Sequence, residues 1–311
     1  MAAEIGVASN HLDLIQKIRN FLTSNSELVA AGQNWEHLVG PTGVMAPSDA
    51  VTLRGPGWAN DADIYITMYM TEDNLLENWR LSIYGHGGYI PGQNYDTHPL
   101  TSPITRVAVW NQPMNYWIAG DGRSFGLVVQ VSTVFTSGVW GYGLPNTLKK
   151  NYPKPFIVAG CMTDTSSWTS TNNNNRFISD PGYNCAFVLY PENVWRRLTN
   201  YNSSGSASIA DAAYVYPGQI RVTSHSYRFG GAGGQASWMP TVRGKYIPRR
   251  IQVKSNSPFQ SNLFQIDRMF AVSGRQGISS GSILEYNGED YLAFQNLFRT
   301  GFADYMLMRL S

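Results

Sequence analysis

The sequence predicts a mainly β (α+β) protein: an antiparallel β-sandwich-like core with a short N-terminal amphipathic helix and long loops. Three observations carry that prediction. Charged residues are only 14% of the 311-residue chain, which also holds 18 Tyr, 9 Trp, 30 Gly and 16 Pro; an average soluble domain is ~25% charged. Runs of β-branched and aromatic residues recur from about residue 34 onward, punctuated by turn residues. Asn287-Gly288 is a two-residue hairpin signal, because a type I′ turn needs positive φ at both central positions.

The elements follow in order. Asn10 is a good N-cap, and Leu12, Leu14, Ile15, Ile18, Phe21 and Leu22 recur at helical spacing, so residues 11–23 form the helix. Residues 26–31 add a short helical turn that Gly32 ends. Residues 63–70 and 79–85 have dense β propensity and form an antiparallel pair, with Gly55-Pro56-Gly57 turning before it and Glu72-Asp73-Asn74 turning within it. Residues 86–104 read as loop, and 106–110 as a short strand. Residues 116–119 and 125–131 form a hairpin around Asp121-Gly122, a second type I′ candidate. Its second strand is apolar throughout, as in a strand buried on both faces.

Further along, residues 137–151 are Gly- and aromatic-rich. Residues 156–161 and 185–190 are strand-like, the latter followed by Trp195-Arg196-Arg197-Leu198, and 163–175 are a polar loop holding Asn172–175. The Ser/Gly/Ala-rich stretch 200–211 and the glycines at 230–234 are flexible points. Residues 263–272 are mixed in pattern. After Asn287-Gly288, Tyr291, Ala293, Gln295 and Leu297 take one face, and Leu292, Phe294, Asn296 and Phe298 the other. No internal repeat is visible. The expected organisation is a helical segment over 1–33, a β-rich part over 34–150 and a basic β-rich part over 151–311, with one continuous β fold as the alternative.

Low charge and abundant aromatics also suggest a surface covered by neighbouring subunits. The charge is unevenly spread. Residues 1–121 carry 12 acidic and 5 basic side chains, a balance of −7, and residues 122–311 carry 9 and 18, a balance of +9. Between Asp211 and Asp267 there is no acid, while Arg221, Arg228, Arg243, Lys245, Arg249, Arg250 and Lys254 fall there. Either the charges average out in space within one folded domain, or acidic surface packs on basic surface between subunits; nucleic-acid contact fits less well, since the Lys-rich density of a nucleic-acid arm is missing. Cys161 and Cys185 read as two buried free thiols, with a disulfide between them as the alternative. Met1-Ala2-Ala3-Glu4-Ile5-Gly6 lacks a signal peptide's basic start and apolar core, and no stretch approaches the ~18 apolar residues of a membrane span.

Catalytic signatures are scarce. His11, His37, His86, His98 and His225 make no pair at metal-helix spacing. His86 and His98 bracket Asp96 in one loop, where a turn-stabilising or surface role is expected over a metal or proton-transfer cluster. Gly230-Gly231-Ala232-Gly233-Gly234 fits no dinucleotide or phosphate-loop motif, and no nucleophile elbow exists. Asp61 and Asp63 stand on one strand face as glycosidase acids might, with a turn role as the default. The expectation is therefore no enzyme, no catalytic residue, no metal and no cofactor. Loop aromatics Trp58, Trp110, Tyr116, Trp117, Trp140, Tyr142, Trp168 and Trp238 would suit sugar binding beside Asn and Asp, or packing and interfaces.

Several segments resemble structural proteins of tailed bacteriophages. The closing Gly288-Glu289-Asp290-Tyr291-Leu292-Ala293-Phe294-Gln295-Asn296-Leu297-Phe298-Arg299-Thr300 is similar to a string that recurs at their ends. Leu53-Arg54-Gly55-Pro56-Gly57 with Asp61-Ala62-Asp63-Ile64-Tyr65-Ile66 resembles their entry segment. Tyr116-Trp117-Ile118-Ala119-Gly120-Asp121-Gly122-Arg123 resembles their central hairpin, and Gly141-Tyr142-Gly143-Leu144-Pro145 with Tyr152-Pro153-Lys154-Pro155-Phe156 the loop after it. The resemblance implies a virion component of a contractile-tailed phage, placed in tail, neck or baseplate and partnered by other tail proteins and by copies of itself as a trimer or hexamer. It implies no active site, and the lack of an apolar span leads to the expectation of no membrane partner. A carbohydrate- or receptor-binding adhesin, with a host surface glycan as ligand, is the alternative. Trp117, Trp140, Arg249 and Arg250 are the residues expected at interfaces.

Overall fold

A computed structural model describes residues 1–58, 63–73, 78–145, 152, 154–162, 185–199, 213–216, 248–255, 262–272, 278–295 and 305–311. It is mainly β, built from antiparallel sheets with a short N-terminal helix. The chain starts with β1 (Ala2–Ala8), then α1 (His11–Ser24) and the one-turn α2 (Ser26–Ala30). The Asn10 side chain accepts from the backbone N–H groups of Leu12 and Asp13, as an N-cap should. Gly32 takes a positive φ of 63° just past the second helix.

A five-stranded sheet follows, ordered as the chain runs: β2 (Glu36–Val39), β3 (Ala50–Gly55), β4 (Ile64–Asp73), β5 (Asn78–His86) and β6 (Thr105–Val109). The expected antiparallel pair is β4 and β5, in register from Tyr65 opposite His86 to Asp73 opposite Asn78. Glu72 and Asp73 belong to the strand rather than to the turn expected there.

The second sheet begins with β1, whose seven residues all pair with β7 (Met114–Gly120). It continues through β8 (Ser124–Val131), β9 (Val134–Tyr142), β11 (Phe156–Ala159), β12 (Ala186–Leu189), β13 (Trp195–Thr199) and β14 (Ala213–Tyr216). It ends with β15 (Arg249–Ser255), β16 (Asn262–Ala271), β19 (Tyr305–Arg309), β18 (Glu289–Gln295) and β17 (Ile283–Tyr286). The two-residue β10 (Leu144–Pro145) leaves β9 and pairs with β16. β13 and β14 run parallel; the other described pairings are antiparallel. Pairing of β9 with β11 carries this sheet unbroken past residue 150.

Two cores show how the layers stack. One lies between the five-stranded sheet with α1 and one face of β7–β9; it holds Leu14, Ile18, Phe21, Ile66, Met68, Leu81, Phe125, Leu127 and Trp140. The other lies on the opposite face of β7–β9 and packs Trp117, Val128 and Val139 against Phe264, Met269, Phe294 and Met308. The large sheet therefore folds back over itself, and β8 is the shared middle layer. That accounts for its run of buried residues on both faces, as its sequence predicts.

Turn chemistry is confirmed at one hairpin and corrected at the other. Asn287 and Gly288 take φ of 55° and 78° between Tyr286 and Glu289, which face each other. Neither Asp121 nor Gly122 has positive φ. There the Asp121 carboxylate accepts from the backbone N–H groups of Arg123 and Ser124, so a side chain closes the turn in place of a type I′ backbone. β9 occupies the segment read as merely Gly- and aromatic-rich. Its glycines answer to packing: a Cβ at Gly138 would lie 2.2 Å from the Trp140 ring, and one at Gly141, at φ +131°, would lie 2.3 Å from Arg123 O.

Candidate functional site

Of the four expected interface residues, Trp140 lies deepest. It is fully buried in the protein's own core, and its indole Nε1 donates to Thr105 Oγ1 at 2.9 Å. Trp117 is buried too, its ring 5.8 Å from that of Phe135. Arg249 is half-buried at the start of β15. Arg250 is exposed and reaches Gln265 Oε1 at a long 3.4 Å. Tyr116 and Tyr142, expected among loop aromatics, are strand residues of the core. Trp168, Trp238, Asp61, Asn172–175, the glycines at 230–234, and Leu297 and Phe298 lie outside the described residues.

The remaining chemical candidates all have partners or burial within the fold. Asp63 takes an ion pair from Arg54 at 2.9 Å and a hydrogen bond from the Tyr65 hydroxyl at 3.2 Å. Cys161 and Cys185 are buried free thiols, as expected, and burial pushes the Cys161 thiol up to about 11. They sit in different cores. Asp121 is wedged between Arg268, at 2.5 Å, and Arg123, at 2.7 Å. Burial alone would raise its pKa, but the two guanidinium groups overcome that and hold it at about 2. Asp267 joins the group through Arg123 at 3.1 Å, and Arg123 also lies over the Trp58 ring at 4.5 Å. The cluster ties the β7–β8 turn to β16 across the folded sheet. Among the described residues, no group of three or more His, Cys, Asp and Glu could hold a metal ion, and no helix is long and apolar enough to cross a membrane.

Two surface features stand apart from these. The first is the edge at β1. Edge strands are ordinarily blunted by charge, Pro, bulges or shortness, because a bare row of N–H and C=O groups invites pairing. β2 follows that rule, with four residues and a bulge between His37 and Val39. β1 does not: it has seven residues in unbroken register, no Pro and no Lys. Ile5 and Val7 share one face of it, each 58% exposed. Ile5 stands directly opposite Trp117, so the exposed strip continues into the buried Trp117–Phe135 contact. The strand's single charge, Glu4, points to the other face and accepts a hydrogen bond from the Tyr116 hydroxyl.

The second feature is the polar face of the five-stranded sheet. Tyr69 and Tyr84 stack at 6.1 Å, and Tyr95 from the 87–104 loop tilts against both. Tyr65 stacks on Tyr89, whose ring meets His98 at 4.8 Å. His98 lies edge-on to His86 at 5.0 Å. His86 is fully buried between the hydroxyls of Thr67 and Thr101, at 3.0 and 2.9 Å. Burial first, and then the charge of His98, bring its pKa down to about 3. The pair is thus a neutral, hydrogen-bonded brace for the loop, in keeping with the turn-stabilising role read from the sequence. Burial, foremost, also raises the pKa of Tyr65, Tyr69 and Tyr84, which keep their protons.

Sequence reasoning missed the β1 edge because Ala and Gly weaken its β signal and the stretch is short. The alternation Ala3, Ile5, Val7 was the available clue. No protein-family model matches this chain, and no curated protein matches it either.

Proposed function

We propose that this chain is a structural component of a phage tail, in the tail, neck or baseplate, acting through protein–protein interfaces and not through turnover. The observation that carries the reading is the unblunted β1 edge with Ile5 and Val7 in solvent. A strand of that kind is a liability in a free monomer and an asset in an assembly. The ordered resemblance of several segments to tail structural proteins, and the low charge of the chain, support the same reading. Its partners would be other virion tail proteins and further copies of itself in a trimer or hexamer.

Mass photometry of the purified chain, alone and with tail-containing virion extract, tests it. Closed oligomers or incorporation into tails is the expected result. A strict monomer that ignores tail parts would overturn it. A second reading, a carbohydrate- or receptor-binding module, is favoured by the half-exposed Tyr65, Tyr69, Tyr84 and Tyr89 on one sheet face. It predicts binding to host cells or glycans by the isolated chain, lost on Tyr-to-Ala change at Tyr65 or Tyr84.

A further inference from the structure

We propose that β1 is a self-pairing edge: Ala2–Ala8 of two copies of this chain align antiparallel about a two-fold axis through Ile5, joining their large sheets. The inference deepens the assembly reading and rests on it. Three observations select a second copy as the occupant.

Length is the first. Of the other sheet edges among the described residues, β2 and β17 have four residues each and β6 has five, all buried and bridged through Arg106 to Met162, against seven in β1. Only another β1 matches the whole strand. Side chains are the second. With the axis through Ile5, residue 3 faces residue 7 and residue 4 faces residue 6. Ile5 then meets Ile5 of the second copy, and each Val7 meets an Ala3. The strip Ala3, Ile5, Val7 is thereby closed on its own face, above Trp117 of each copy. Cross-strand apolar pairs of this kind are the unit of sheet stabilisation. Charge is the third. Each Glu4 stands opposite Gly6, so like charges do not meet, and its carboxylate already has the Tyr116 hydroxyl. By contrast β2 carries Glu36 and a bulge, and β17 carries an exposed Glu285. An isologous contact of this type builds a dimer, or pairs two trimers into a hexamer with dihedral symmetry.

The test uses the full chain carrying Ile5→Cys and a short bismaleimide crosslinker. Cys161 and Cys185 are buried, so the new thiol is the one that reacts. The expected result is a covalent dimer at micromolar concentration. Adding Val7→Lys should cut its yield at least tenfold while the far-UV circular dichroism spectrum stays that of the parent, since Val7 is exposed in the single chain. The proposal is overturned if Ile5→Cys gives no dimer while mass photometry still shows oligomers or tail incorporation; the assembly reading then survives without this edge. It is also overturned if Ile5→Cys crosslinks only after mixing with an Ile283→Cys variant, which would mean head-to-tail pairing of β1 with β17. A chain that is monomeric throughout and ignores tails removes both readings.

Discussion

Trp140 Nε1 donates to Thr105 Oγ1 at 2.9 Å, and both residues are fully buried where the two sheets meet. β9 and β6 come from different sheets, so this bond ties one to the other. The neighbouring Thr136 hydroxyl does similar work, donating to Ala108 O at 2.8 Å. A buried donor or acceptor left without its partner costs about 1–3 kcal/mol. Trp140→Phe keeps most of the ring and removes the donor. It should destabilise the fold by about 1–3 kcal/mol in chemical denaturation with an unchanged denaturant slope. A variant as stable as the parent would show that the bond contributes nothing.

Breaking the Asp121 cluster should cost more. Asp121→Asn leaves the fully buried Arg268 without its closest carboxylate, and loss of one member of a buried ion pair costs about 3–5 kcal/mol. The pH dependence has a definite sign. The folded carboxyl titrates at about 2, below its usual 3.8, so its stabilisation is complete above pH 4 and drains away as pH falls from about 4 to 2. The shift corresponds to about 2 kcal/mol. Acid unfolding curves of the parent and Asp121→Asn should converge over that window; parallel curves would refute the assignment.

His86 sets a milder acid limb. Its folded pKa is depressed to about 3 from 6.5, so the unfolded chain takes up the proton first and stability falls as pH drops below about 6.5. The slope for one such group is roughly 1.4 kcal/mol per pH unit. His98, lowered by burial as well, adds to it in the same window. His86→Gln retains a hydrogen-bonding side chain between Thr67 and Thr101 and removes the titration. Thermal melts between pH 6.5 and 4.5, above the range of ordinary carboxylates, should be flatter for the variant. Equal slopes would place the acid sensitivity elsewhere.

The Asn287-Gly288 turn offers a strain measurement free of packing. Gly288 has φ of 78° and open space around its Cβ position. Gly288→Ala should therefore cost only the left-handed backbone penalty, about 1–2 kcal/mol. A stability gain would mean that the turn relaxes to another type.

At the helix start, the Asn10 side chain accepts from two backbone N–H groups. Asn10→Ala should lose about 1 kcal/mol, and Asn10→Asp should hold most of it. Identical melts for all three chains would show that water replaces the cap.

Local signals in the chain were enough for the mainly β class, the α1 boundaries, the β4–β5 pair, the doubly buried β8 and the Asn287-Gly288 hairpin. Each of these follows from short-range rules: a cap, a period, a φ preference. Tertiary structure decided the rest. β1 exists because β7 offers it a partner from Met114 to Gly120, more than a hundred residues away. β9 tolerates its glycines because the Trp140 ring and the Arg123 backbone fill the space a Cβ would need. Trp117 and Trp140 are the same residue type, yet they face opposite cores. The exposed strip of Ile5 and Val7 arises only where the large sheet stops. Composition sets how much apolar surface a chain has, but the order of strands across a sheet decides which part of it stays in water, because each strand buries its edges only against the neighbours that topology supplies.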